Sequence, residues 1–132
     1  MDKKDRKELF MRFTIKLAPI SKKNHQQIIY NKSTGKPMVI QSPQYRQYEK
    51  DAYWFLPRGV NIDYPVNVKC VYYMPTKRRV DLTNLLNATL DILVKYEILA
   101  DDNSNIVHSV DGSYVDYDKE NPRTEVEIWQ ID

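Results

Sequence analysis

Two short acidic stretches carry the residue types best suited to chemistry. The first is Arg78-Arg79-Val80-Asp81-Leu82-Thr83-Asn84, and the second, some twenty residues later, is Asp101-Asp102-Asn103. Carboxylates that converge from distant parts of a chain are suited to a hard divalent cation, which prefers oxygen ligands. Arginines beside such a site add the fork-shaped donors that hold phosphate groups. Together they point to hydrolysis of a phosphodiester.

The spacing makes convergence testable. Residues 83–95 read as a helix about 20 Å long at ~1.5 Å per residue. Residues 96–102, if extended at ~3.3 Å per residue, span about 23 Å. A return along the helix would set Asp102 beside Asp81, so that two carboxylates far apart in sequence meet at one site. Each feature has an ordinary explanation when taken alone. Asp before an amphipathic helix is a preferred N-cap, and acidic pairs occur in plain turns.

The elements that must position these residues follow from the pattern. Phe13, Ile15 and Leu17 alternate with polar residues and predict a strand that stops before Pro19. Residues 1–11 read as a flexible charged tail. Residues 20–26 form a basic loop, and Ile28-Ile29-Tyr30 and Met38-Val39-Ile40 flank a hairpin turn around Gly35. Ser42-Pro43 opens a helix with Ser as N-cap and Pro at the first position, running to about Leu56 before Pro57. On it, Tyr45, Tyr48 and Trp54 are expected to pack rather than to stack on DNA.

Residues 66–73 predict a central strand. Leu82, Leu85, Leu86, Leu90 and Leu93 line one face of the following helix, opposite a polar stripe of Asn84, Asn87, Asp91 and Lys95. Residues 105–110 and 124–131 read as strands, with a turn at Asp111-Gly112 and a polar connection over 114–123. The expected fold is α+β, a two-layer sandwich of a mixed β-sheet with two main helices, forming one domain over 1–132.

Composition sets limits on function. The single cysteine, Cys70, excludes an internal disulfide framework and a multi-cysteine zinc site within one chain, and its apolar setting predicts burial. No apolar run is long enough to span a bilayer, and no secretion signal is visible, so no membrane partner and a cytoplasmic location are expected. Residues 1–80 hold 17 Lys and Arg against six Asp and Glu, while residues 81–132 hold three against 12. Such a division suits a polyanion partner next to an acidic site. The same charges could instead pair with each other across the fold.

The stretch RRVDLTNLLNATLDILVKYEILADDNSNI, at 78–106, resembles the RusA family of Holliday junction resolvases of bacteria and their phages. Looser features extend the likeness: Pro19 followed five residues later by Asn24, Ser42-Pro43 with Tyr45-Arg46, and Thr-Glu-Val-Glu-Ile at 124–128. The resemblance implies a homodimeric, Mg2+-dependent endonuclease that binds four-way junction DNA by shape and nicks two strands symmetrically. The family's acidic positions fall on Asp81, Thr83 and Asp102. Thr83 stands where the best-known members carry Asp, and Asn87 where they carry a helix lysine.

On this reading Asp81 and Asp102 hold the metal, with Asp101, Asp91 or Asp111 able to add charge. Lys22, Lys23, Asn24, Arg78, Arg79 and Asn87 contact DNA. His25 and His108 are expected to be ordinary polar residues. The departures at Thr83 and Asn87 raise an alternative, a junction-binding protein with weakened or lost cleavage. A plain protein-interaction domain is the third reading.

Overall fold

A computed structural model describes residues 7–22 and 26–131. In chain order it contains β1 (Lys7–Ile15), β2 (Gln26–Tyr30), β3 (Pro37–Gln41), α1 (Pro43–Ala52), a 3-10 turn (Tyr53–Phe55), β4 (Val66–Met74), α2 (Leu82–Lys95), β5 (Val107–Ser109), β6 (Tyr114–Tyr117) and β7 (Arg123–Ile131). The main sheet runs β1-β7-β4, with β5 and β6 both paired to the remaining edge of β4. The β1–β7 and β7–β4 pairs are antiparallel, whereas β5 and β6 run parallel to β4. The sheet is therefore mixed, as expected, and β4 is central. The short β2–β3 hairpin forms a sheet of its own.

One face of the sheet carries the core. Val66, Val68, Cys70 and Tyr72 of β4 and Val126 and Ile128 of β7 are buried, together with Leu85, Ala88, Ile92 and Leu93 of α2 and Tyr45, Tyr48 and Ala52 of α1. The Tyr72 and Thr89 hydroxyls meet at 2.7 Å and join β4 to α2 inside this layer. Cys70 is buried, which pushes its thiol up to about 12. Lys95 pairs with Glu49, and the Tyr96 hydroxyl donates to the Glu49 carbonyl at 3.1 Å, so the C-terminal end of α2 is fastened to α1.

Both helix starts are capped as their sequences predict. The Ser42 hydroxyl accepts from Tyr45 N at 3.1 Å. Asp81 Oδ1 accepts from Thr83 N at 2.9 Å and from Asn84 N at 3.4 Å. These bonds satisfy N–H groups that have no partner within the first helical turn.

Four expectations need correction. Of the tail expected over 1–11, residues 1–6 lie outside the described residues and residues 7–11 are not a tail: β1 begins at Lys7 and pairs with β7 back to Ile131. The alternation seen at Phe13 and Ile15 continues back through Met11, and a register shift between Leu9 and Met11 interrupts it. Residues 114–117, expected to be a polar connection, form β6. Only Val115 among them is turned toward the interior, too little apolar signal for a pattern reading. Trp54 does not enter the core; it is 72% exposed and meets only the edge of the Tyr53 ring among the described aromatics, because the helix gives way to the 3-10 turn at Tyr53.

The fourth correction concerns residues 96–102. They do not run back along α2. Ile98 N and Leu99 N both bond Leu93 O, at 2.8 and 3.2 Å, so the chain folds onto the helix end. It then lies alongside Ile62, with Ile62 N donating to Ile98 O and Ala100 N donating to Ile62 O.

A buried amide on β4 fastens the end of β5 and the turn that follows it. Asn67 is 2% exposed. Its Oδ1 accepts from Ser109 Oγ at 2.5 Å and from Asp111 N at 2.8 Å, and its Nδ2 donates to Asp111 O at 3.1 Å. Gly112 completes the turn at a φ of 86°. Asn67→Ala removes these three part-buried hydrogen bonds, and such a bond contributes about 0.5–1.5 kcal/mol net. The variant is expected to unfold at correspondingly lower denaturant concentration in a chemical melt. An unchanged midpoint would show that the network contributes nothing net.

Candidate active site

The site is built around the N-terminal end of α2. β4 ends at Met74, the basic loop follows, and Asp81 caps the helix. A cleft of about 410 Å³ opens here, lined by Ser21, Met74, Arg78, Arg79, Asp81 and Leu85 among others. Pro19, Ile20 and Ser21 form its opposite wall, a contribution no sequence pattern announces, since they lie some sixty residues away. Asp81 is exposed, and its Oδ1 takes both capping bonds. Oδ2 has no hydrogen bond among the described residues. Thr83 is exposed beside it.

Arg78 and Arg79 are exposed, and neither enters an ion pair among the described residues. Lys22 behaves differently. Its ammonium lies 2.5 Å from Asp91 on α2 and 5.9 Å from the centre of the Tyr45 ring. Part of the charge asymmetry between the halves is thus neutralised within the fold, and Asp91 is engaged. Asn87 is exposed on α2, roughly 9 Å along the axis from Asp81 at ~1.5 Å per residue. Lys23, Asn24 and His25 lie outside the described residues. His108 is exposed on β5.

Asp101 and Asp102 lie elsewhere. Because residues 98–100 bond to Leu93 and Ile62, and Val107 pairs with Val66, the acidic pair sits at the start of β4 and the C-terminal end of α2. Asp81 sits at the other end of this helix, which is about 21 Å long at ~1.5 Å per residue. The two stretches therefore do not meet within one chain. Asp101 is occupied locally: Oδ1 accepts from Asp102 N at 2.7 Å and Oδ2 from Asn103 Nδ2 at 3.1 Å. The Asp102 carboxylate is exposed and makes no hydrogen bond or ion pair among the described residues. Asp111 is held through its main chain by Asn67.

Among the described residues no three His, Cys, Asp or Glu side chains come together in a way that could hold a metal. Among the described residues, this end of α2 offers Asp81 with one open oxygen, a neighbouring hydroxyl and two arginines, a single carboxylate for a divalent cation. No helix among the described residues is long and apolar enough to cross a membrane.

Comparison with known proteins gives one family match, which spans the basic loop, the capped helix and the acidic turn. No curated protein matches the chain. The family model described as Endodeoxyribonuclease RusA matches residues 17–129, from just after β1 into the last part of β7. With most of its length covered by that match, the chain belongs to the RusA family of endodeoxyribonucleases.

Proposed function

We propose that this endodeoxyribonuclease works as a homodimer that holds Mg2+ between subunits and cuts four-way junction DNA with paired, symmetric nicks. The observation that carries the reading is the separation of two exposed carboxylates, Asp81 and Asp102, at opposite ends of one helix. A two-fold axis that sets α2 antiparallel to its copy brings Asp81 of one subunit toward Asp102 of the partner subunit. The same axis creates a second, equivalent site, and an isologous C2 contact generates both without further parts. Two sites related by a two-fold suit two strands of a junction related by a two-fold.

In this arrangement Asp81, Asp102 of the partner subunit and the Thr83 hydroxyl are oxygen donors to the cation. Asp101 orders the turn that presents Asp102 and adds negative charge nearby. A bound divalent cation supplies an activated water and offsets charge developing on the phosphate. The chain's own contributions are positional. The two capping bonds fix the Asp81 carboxylate, and the unpaired Arg78 and Arg79 hold phosphates on the adjoining wall of the cleft, positioning DNA without reading its sequence. Asn87, exposed further along α2, is a proposed neutral donor to DNA. Lys23 and Asn24 are proposed DNA contacts, whereas Lys22 is already committed to Asp91.

The test is a cleavage assay on end-labelled four-way junctions with and without Mg2+. Paired nicks at symmetric positions that require the cation are expected. Mg2+-independent binding with no nicking would favour the alternative in which Thr83 and Asn87 mark a lost activity. Failure to prefer junctions over linear duplex would overturn the substrate assignment.

A further inference from the structure

We infer that the β2–β3 hairpin is a DNA-engaging arm, laid in the groove of a duplex with Lys32 and Lys36 on the phosphates and Tyr30 against the groove wall. The inference rests on the reading of the chain as a DNA-binding nuclease and adds a surface distinct from the cleft at Asp81.

Among the described residues the strands of the hairpin pair only with each other. Five residues of β2 face five of β3, from Gln26 opposite Gln41 to Tyr30 opposite Pro37. A two-stranded hairpin standing alone is marginally stable in water, and this one keeps apolar area in solvent: Tyr30 is 69% exposed and Met38 42%. Residues 32–38 are all exposed. The tip is nevertheless ordered. Asn31 Oδ1 accepts from Ser33 N at 2.8 Å and Thr34 N at 3.2 Å, Gly35 N donates to Asn31 O at 2.7 Å, and Gly35 turns the chain at a φ of 68°. A shaped tip with exposed aromatic and basic groups is built to meet a partner.

Charge identifies the partner. Residues 9–48 contain seven Lys and Arg and no Asp or Glu; Arg12 and Lys22 are paired with Glu127 and Asp91, whereas Lys32 and Lys36 on the hairpin are exposed and enter no ion pair among the described residues. A protein partner of ordinary mixed charge gives no reason for so complete an exclusion of acids, whereas a phosphate backbone does. The shape agrees, since the major groove, about 12 Å wide, admits a two-stranded β-ribbon. Tyr30 supplies a flat apolar face between the lysines and the body of the protein. The arm is also rooted in the right place. β2 begins five residues after Ser21, which lines the cleft beside Asp81, and β3 leads directly into the buried cap Ser42 of α1.

The experiment compares full-length wild type, the Lys32→Ala/Lys36→Ala double variant and Tyr30→Ala, titrated against linear duplex and a four-way junction at several salt concentrations. The double variant is expected to flatten the dependence of log affinity on log salt by nearly two units on both DNAs, at ~0.9 per lost phosphate contact. Tyr30→Ala is expected to weaken binding several-fold with little change in slope. The hairpin forms a separate sheet, so thermal melts of all three proteins should coincide, and they report on folding independently. An unchanged slope and affinity for the double variant overturns the inference, as does a loss confined to self-association. A wild type that binds both DNAs alike and nicks neither would overturn the junction reading instead, while leaving the effect of the lysines on duplex binding intact.

Discussion

Asp81→Asn and Asp102→Asn are each expected to lower junction nicking by roughly 10²–10³-fold, since metal-derived stabilisation of several kcal/mol converts at about 1.4 kcal/mol per tenfold. Mixing the two inactive proteins is expected to restore nicking. In a dimer of one variant with the other, one shared site receives both substituted positions, an amide from each subunit, and is dead. The second combines the wild-type Asp81 of one subunit with the wild-type Asp102 of the other and is whole. Such a dimer nicks one strand and leaves its symmetric counterpart uncut. If both carboxylates acted from the same chain, every site in the mixture would carry one amide, and nothing would be regained. Loss of fold is a poor explanation for inactivity at either position. Asn is as good an N-cap as Asp, so the bonds to Thr83 N and Asn84 N survive the change. Asp102 is exposed in a turn held by its neighbours. Each variant should bind junctions nearly normally, since removing negative charge does not repel DNA. Continued inactivity of the mixture, with subunit exchange verified, sinks the shared-site reading.

What is legible in the sequence divides along a physical line. Local signals are readable. Ser42-Pro43 and Asp81 cap their helices because capping is decided by four or five consecutive residues, and the apolar, β-branched run of β4 reports a strand at the centre of a sheet. The relation of Asp81 to Asp102 is not readable, because it depends on the path of residues 96–102. Chain length allows a return along α2, but the backbone bonds of Ile98, Leu99 and Ala100 carry the chain to Ile62, a partner more than thirty residues away. Lys22 fails as a simple basic-patch residue for the same reason: its partner Asp91 is distant in sequence and adjacent in space. β6 is hidden because an edge strand with three of four side chains outward has little apolar pattern. Trp54 departs from its pattern because helical spacing stops applying where the helix tightens.

These differences set the second large expectation, which concerns how the basic residues divide their work. Arg78→Ala/Arg79→Ala is expected to weaken junction binding by about two orders of magnitude at low salt, as charge-assisted hydrogen bonds contribute about 1.5–3 kcal/mol each. The slope of log affinity against log salt should fall by nearly two units, at ~0.9 per phosphate contact. Stability should scarcely move, because both side chains are exposed and make no ion pair among the described residues, and surface changes of this kind usually stay within about 0.5 kcal/mol. Lys22→Ala offers the contrast. Its ammonium is paired with Asp91 and set over Tyr45, so it contributes less net charge to the DNA face. Removing it should reduce the slope by well under one unit and also release Asp91, a further negative charge on the helix that Asp81 caps. Phosphate binding is thus assigned to cations that the fold leaves unpaired, not to every lysine in a basic stretch. Equal slopes for wild type and the arginine double variant, measured on the same junction, would show that the loop before Asp81 does not hold the backbone.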